Sequence, residues 1–207
     1  MEYLPWKNDQ NDDSLAWIGT DPFGDDFPKS YELDEGVSIS HWFPGDVTFG
    51  LSQDHGIQLT DSIPNVLGVH LVSEKLKGIL EREADANFEF YPVKIRNQKG
   101  RLVKVQYYLA HLLDTLDCMD KKRSDIEVDN LDKSRAFRIR RLAFYEKSIP
   151  AKTKIFGLQE RKEQWFIRRD LAVKIYREEN CRGMIFTKLE DFGKEWRFDN
   201  DNEDGDE

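Results

Sequence analysis

Three aspartates spaced by three, Asp114, Asp117 and Asp120, are the first residues in this chain whose types and spacing could do chemistry. On a helical turn that spacing gathers carboxylates on one face, where they could hold a divalent cation. Lys121, Lys122 and Arg123 follow at once and offer neutralisation without a metal, so capping and ion pairing are favoured. Cys118 and His111 suggest a nucleophile and its base, but the aspartates around Cys118 would raise the thiol pKa and quench it. His41, His55, His70 and His111 lack the close pairs that mark metal sites, and neither they nor Asp54 and Asp61 are assigned to one. No GxGxxG, GxxxxGK[ST], GxSxG, HExxH or EF-hand loop occurs. No residue is therefore assigned to catalysis, to a metal or to a cofactor.

A second pattern could bind rather than react. Arg135, Arg138, Arg140, Arg141, Arg161, Arg168 and Arg169 make the middle of the chain basic, with Phe137 and Trp165 among them. Cations interleaved with stacking aromatics could serve a nucleic acid. The whole chain is acidic, at −9, and its charge is segregated: residues 1–90 carry −13, 91–190 carry +10 and 191–207 carry −6. Such segregation predicts either that the halves neutralise each other on folding or that two surfaces face partners of opposite sign. Mutual neutralisation is the simpler expectation.

The elements that must position these residues centre on Phe88–Ser124. Phe88, Phe90, Val93 and Ile95 alternate, as do Val103, Val105, Tyr107 and Leu109, with Asn97–Gly100 between them. This predicts an antiparallel hairpin. A helix is expected from Ser73, capped by its hydroxyl, with Leu76, Ile79, Leu80 and Ala84 on one face. A second helix is expected over Asp170–Asn180, and short strands over Lys154–Gln159, Gln164–Ile167 and Met184–Thr187. In RAFRIRR, Phe137 and Ile139 alternate with arginines, which predicts a strand with a basic outer face. Residues 37–50 could supply two strands around Pro44-Gly45, and residues 1–30, rich in Asp, Asn, Gly and Pro, are expected to form loops.

Together these predict an α+β single domain, mostly antiparallel sheet with two main helices. Residues 1–63 are read as a loop-rich acidic N-terminal region packed on the domain, 64–198 as the α+β core and 199–207 as a disordered acidic tail. An apolar content of 39% excludes wholesale disorder. The start, MEYLPWKNDQNDD, shows no secretory leader, no run is long enough for a membrane helix, and two cysteines are too few for a disulfide framework. A cytoplasmic location is expected.

From about Pro64 to Phe186 the order of motifs resembles a bacterial immunity-protein family of polymorphic toxin systems, typified by a myxobacterial protein. The matching pieces are Ser73-Glu74, Phe90-Tyr91-Pro92-Val93, Gly100, Tyr107-Tyr108 and LDTLDCMDKKRS with Asp117, Asp120 and Ser124. Ser148-Ile149-Pro150, Ile155-Phe156 and Gly183-Met184-Ile185-Phe186 complete them. The chain departs from the pattern at Phe156-Gly157, where the family often carries Phe-Arg. The resemblance implies a non-enzymatic inhibitor that binds and neutralises a cognate toxin domain, expected to be encoded by an adjacent gene, without cofactor or membrane. Trp6, Trp17, Trp42 and Phe43, in the acidic N-terminal third, are the expected partner-binding surface. Asp117, Asp120 and Ser124 are expected to cap or tie the turn after the hairpin. The alternative is a nucleic-acid-associated or regulatory binding module that uses the basic middle.

Overall fold

The structure, a computed structural model, describes residues 1–24 and 27–192. The expected acidic tail, 199–207, lies outside the described residues. Among the described residues twelve strands form two five-stranded sheets and a separate ribbon. The first sheet has the order β12 (Met184–Phe186), β1 (Tyr3–Asn8), β11 (Arg161–Arg168), β10 (Ile155–Leu158), β7 (Thr115–Leu116). The second has the order β2 (Val47–Gly50), β5 (Phe88–Arg96), β6 (Tyr107–Leu112), β4 (His70–Ser73), β3 (Ser62–Ile63). The ribbon pairs β8 (Asp125–Val128) with β9 (Ala136–Arg141). Within the sheets the β7–β10 and β2–β5 pairs are parallel and the others antiparallel. The class is α+β, mostly sheet, in a single domain.

Both faces of both sheets are covered, which explains the near-continuous apolar runs in strands such as Ile155–Leu158. Leu4, Trp6, Ile155, Trp165, Ile167 and Phe186 of the first sheet face Val72, Ala110 and Leu112 of the second. Helices α1 (Glu74–Glu83) and α2 (Arg169–Val173) share that core through Leu76, Ile79, Leu80, Leu171 and Ala172. The far face of the second sheet, with Leu71, Val93, Ile95 and Leu109, is covered by Ala16, Ile18, Phe23 and Ile39 of the N-terminal region. The far face of the first, with Tyr3, Phe156 and Phe166, is covered by Ala136, Ile139, Leu142 and Phe144 from the ribbon and its base. One pair of layers thus carries three cores.

The α1 start matches its sequence signal, since Ser73 Oγ accepts the Leu76 amide at 3.2 Å. The hairpin needs a correction. The turn at Asn97–Gly100 forms, with Gly100 at φ +75°, and Val103 N donates to Ile95 O. Between that contact and the Val93–Tyr107 pair the second strand carries two extra residues, so Val105 ends 52% exposed. Residues 1–30 are not all loop: β1 sits between β11 and β12, because Leu4 and Trp6 on one face and Tyr3 on the other find both sheet faces covered. Of residues 37–50 only Val47–Gly50 is a strand. The second helix covers Arg169–Glu178, widening to π-helical geometry from Lys174.

In RAFRIRR the expected inward position of Phe137 is also corrected. The β8–β9 register slips between Asp125 and Ile126 and again between Glu127 and Val128, leaving Phe137 and Arg140 as extra residues on β9. Each bulge turns two consecutive side chains outward. Burial therefore repeats every third residue: Ala136, Ile139 and Leu142 are inside, while Phe137 is 66% exposed.

Candidate functional site

Three surfaces could meet a partner, and each is built by different elements. The first is the seam between the two sheets. Glu35, just past a 3-10 turn over Ser30–Asp34, receives Arg135 at 2.8 Å and Lys162 at 2.8 Å. Arg135 also lies 3.8 Å from Glu163, which holds Arg161 at 3.0 Å. Acidic N-terminal residues and basic middle residues thus neutralise each other here. Behind them His70 stacks on Trp165, centroids 3.5 Å apart, with Trp6 edge-on to both rings. His70 keeps some exposed surface, but enclosure of its ring by the indoles pushes its pKa down to about 4. Asp34 is pushed up to about 6 by burial and then by the nearby Glu163 charge, against Arg135. A cleft of about 380 Å³ opens here between Trp6, His70, Arg161 and Gln164.

Of the four expected contact aromatics only Trp6 lies at the seam. It is 3% exposed, part of the inter-sheet core, and lines that cleft. Trp42 donates its indole N–H to Glu32 at 2.8 Å and packs edge-on to Phe23. Phe43 lies 4.3 Å from Tyr91, centroid to centroid. Both are half-buried and fasten the N-terminal region to the second sheet. Trp17, also half-buried, stacks on the exposed His55 at 5.0 Å. It belongs to the second surface, where residues 14–19 pair with 50–58 through Ala16 N to Gln58 O, Gln58 N to Ser14 O and Ser52 N to Trp17 O. Ile57 there is 79% exposed, and Asp13 and Asp54 in the flanking segments are also exposed.

The aspartates do not converge. Asp114 accepts the Asn87 amide and side chain at 2.9 and 2.7 Å. Asp120 is buried and accepts the amides of Lys122 and Arg123 and the Arg123 guanidinium. The Arg123 side-chain hydrogen bond is the largest cause holding the Asp120 carboxyl below the usual range. Ser124 accepts Ala143 N at 3.0 Å and donates to its carbonyl. Asp117, expected to join them in tying the turn, is exposed and makes no such bond among the described residues, and no helix forms there to bring the aspartates onto one face. Burial, then Glu160 and Asp117, pushes the Cys118 thiol up to about 12. His111 hydrogen-bonds the Val37 carbonyl at 2.7 Å instead of serving that thiol. Among the described residues no group of three or more His, Cys, Asp or Glu could hold a metal, and no helix is long and apolar enough to cross a membrane.

The third surface is the arm that runs out from Cys118, through β8 and β9, and back to Tyr145, its base closed by Asp120 N to Ala143 O and Tyr145 N to Cys118 O. Arg140 is neutralised by Glu127 at 3.1 Å and Asp125 at 3.6 Å. Arg138 and Arg141 have no carboxylate partner among the described residues. Leu131 at the tip is 99% exposed. The basic outer face agrees with the sequence expectation, and only the inward position expected for Phe137 differs. The spacing of Ala136, Ile139 and Leu142 by three, foreign to a regular strand, was the available signal.

The departure at Gly157 has a steric cause: a Cβ there would stand 2.7 Å from the Lys162 carbonyl, at the irregularity in the β10–β11 pairing. An arginine at this position would need the backbone to move. A family model described as "Immunity protein family (Imm11)" matches residues 16–191. No curated protein matches the chain.

Proposed function

This chain belongs to the Imm11 immunity protein family, and from that premise we propose that it binds a cognate toxin domain in the cytoplasm and blocks its activity without doing chemistry of its own. The observation that carries this reading is the family match over most of the chain. The placement of the residues supports it. The thiol and the histidine that could have formed a nucleophile and base are engaged apart, and the three aspartates are spread over separate structural duties. Rigid layers with exposed apolar groups on loops and an arm suit a protein whose work is contact.

The toxin is proposed to be encoded by the adjacent gene. The test is co-expression of that gene's C-terminal domain with and without this chain, followed by co-purification. Restored growth and a stable complex are expected. Undiminished killing with no complex would overturn the reading.

A further inference from the structure

The outer face of the arm is more exposed than folding requires. Its inner positions, Ala136 and Ile139, already cover the first sheet. The two bulges then present Phe137 with Arg138, and Arg140 with Arg141, as adjacent outward pairs. Phe137 is 66% exposed and shares the ribbon with Val128 at 39% and Leu131 at 99%; other exposed apolar groups, such as Ile57 and Val66, are spread over the rest of the chain, and what sets this face apart is the exposed arginines next to the ring. Exposed arginines beside an exposed aromatic make the composition of an interface centre, where Phe and Arg are enriched and truncations cost most.

We infer that this face is the docking surface for the toxin domain: Phe137 enters an apolar pocket on that protein, and Arg138 and Arg141 meet carboxylates at the pocket's rim. The inference rests on the toxin-binding reading and assigns its contact site and the charge of the partner's surface. Asp125 and Glu127 lie on the same ribbon and hold Arg140. They make the face one of mixed charge, which suits a protein surface better than the uniformly anionic backbone of a nucleic acid. Charge complementarity at Arg138 and Arg141 supplies orientation and association rate, and the Phe137 ring supplies affinity.

The test is titration calorimetry and stopped-flow binding of the full chain to the inactivated toxin domain from the adjacent gene. Phe137→Ala should weaken binding by about thirtyfold, with Phe137→Leu retaining most of it. Arg138→Glu with Arg141→Glu should slow association by about tenfold or more and flatten its salt dependence. Melting temperatures within about 2 °C of the parent show that folding is intact, because all three side chains are exposed. Unchanged binding by these variants beside a binding parent would overturn the inference and leave the immunity function standing. No binding by the parent would remove both. Loss on Trp17→Ala without loss on Phe137→Ala would move the contact to the acidic loops. Binding of a DNA or RNA oligonucleotide that only the double arginine variant abolishes, with toxin binding kept, would replace the protein partner by a nucleic acid.

Discussion

The seam between the sheets and the outer face of the arm are made of the same residue types, arginines, carboxylates and aromatics. At the seam, Arg135 and Lys162 converge on Glu35, and Trp6, His70 and Trp165 close on each other. On the arm, Arg138 and Arg141 are left without carboxylates among the described residues, and Phe137 stands in water. Composition cannot separate a stabilising cluster from a contact surface. What separates them is whether neighbouring elements supply the partners. The seam gathers five chain segments distant in sequence, whereas the arm beyond Arg135 is local and has one partner layer on its inner side only.

The comparison breaks most visibly if the seam proves dispensable. Trp165→Ala removes a ring that His70, Trp6 and Phe88 pack against. It should cost about 3–5 kcal/mol, lowering the melting temperature by roughly 10 °C. Phe137→Ala, the same kind of deletion on the arm, should stay within about 0.5 kcal/mol of the parent. Equal losses at the two positions would mean that the arm aromatic is structural, and that the seam and arm do not differ as argued.

The charges should divide in the same way with smaller amplitudes. Glu35→Ala strips Lys162 of its carboxylate and leaves Arg135 only Glu163 at 3.8 Å, and about 1–2 kcal/mol of destabilisation is expected, discounted for the partial exposure of the pairs. Arg138→Ala and Arg141→Ala should each leave chemical denaturation within about 0.5 kcal/mol of the parent. At the arm's base the two motif aspartates should separate as well. Asp120→Ala should lower the melting temperature, since three donors lose their acceptor. Asp117→Ala should leave it unchanged, and a fall there would mean that Asp117 does tie the turn.

How much of this was legible depended on whether the signal was local. The Ser73 cap, the amphipathic face of Leu76, Ile79 and Leu80, and the Asn97–Gly100 turn are each decided within a few residues, and the structure repeats them. The placement of Tyr3–Asn8 was not legible, because a strand with one proline between charged and loop-forming neighbours becomes central only when β11 and β12, more than 150 residues away, flank it. Phe137 was misplaced because bulges change the burial period, and bulges are set by the paired strand rather than by the residues themselves. The four chosen aromatics were visible as large apolar groups. Which of them would be core, like Trp6, and which would stay half-exposed, like Trp17, was decided by tertiary packing.

The smallest expected effect probes the seam through pH. Asp34 titrates in the folded chain at about 6, above its ordinary 3.8, because burial and Glu163 disfavour its charge. The folded state therefore holds that proton more tightly than the unfolded state, and stability falls as pH rises from 3.8 to 6. His70 does the reverse. Its folded value of about 4 lies below 6.5, so the unfolded state takes up the proton first and stability falls as pH drops through that window. Between pH 4 and 6 the two slopes oppose, and the parent's melting temperature should vary little from these groups. Asp34→Asn removes one slope. At pH 7 it should melt roughly 2 °C higher, a figure reduced for the partial exposure of Asp34. At pH 4 the gain should vanish, so the variant loses stability on acidification more steeply than the parent. A gain of equal size at pH 4 and pH 7 would show that the seam does not disfavour the Asp34 charge.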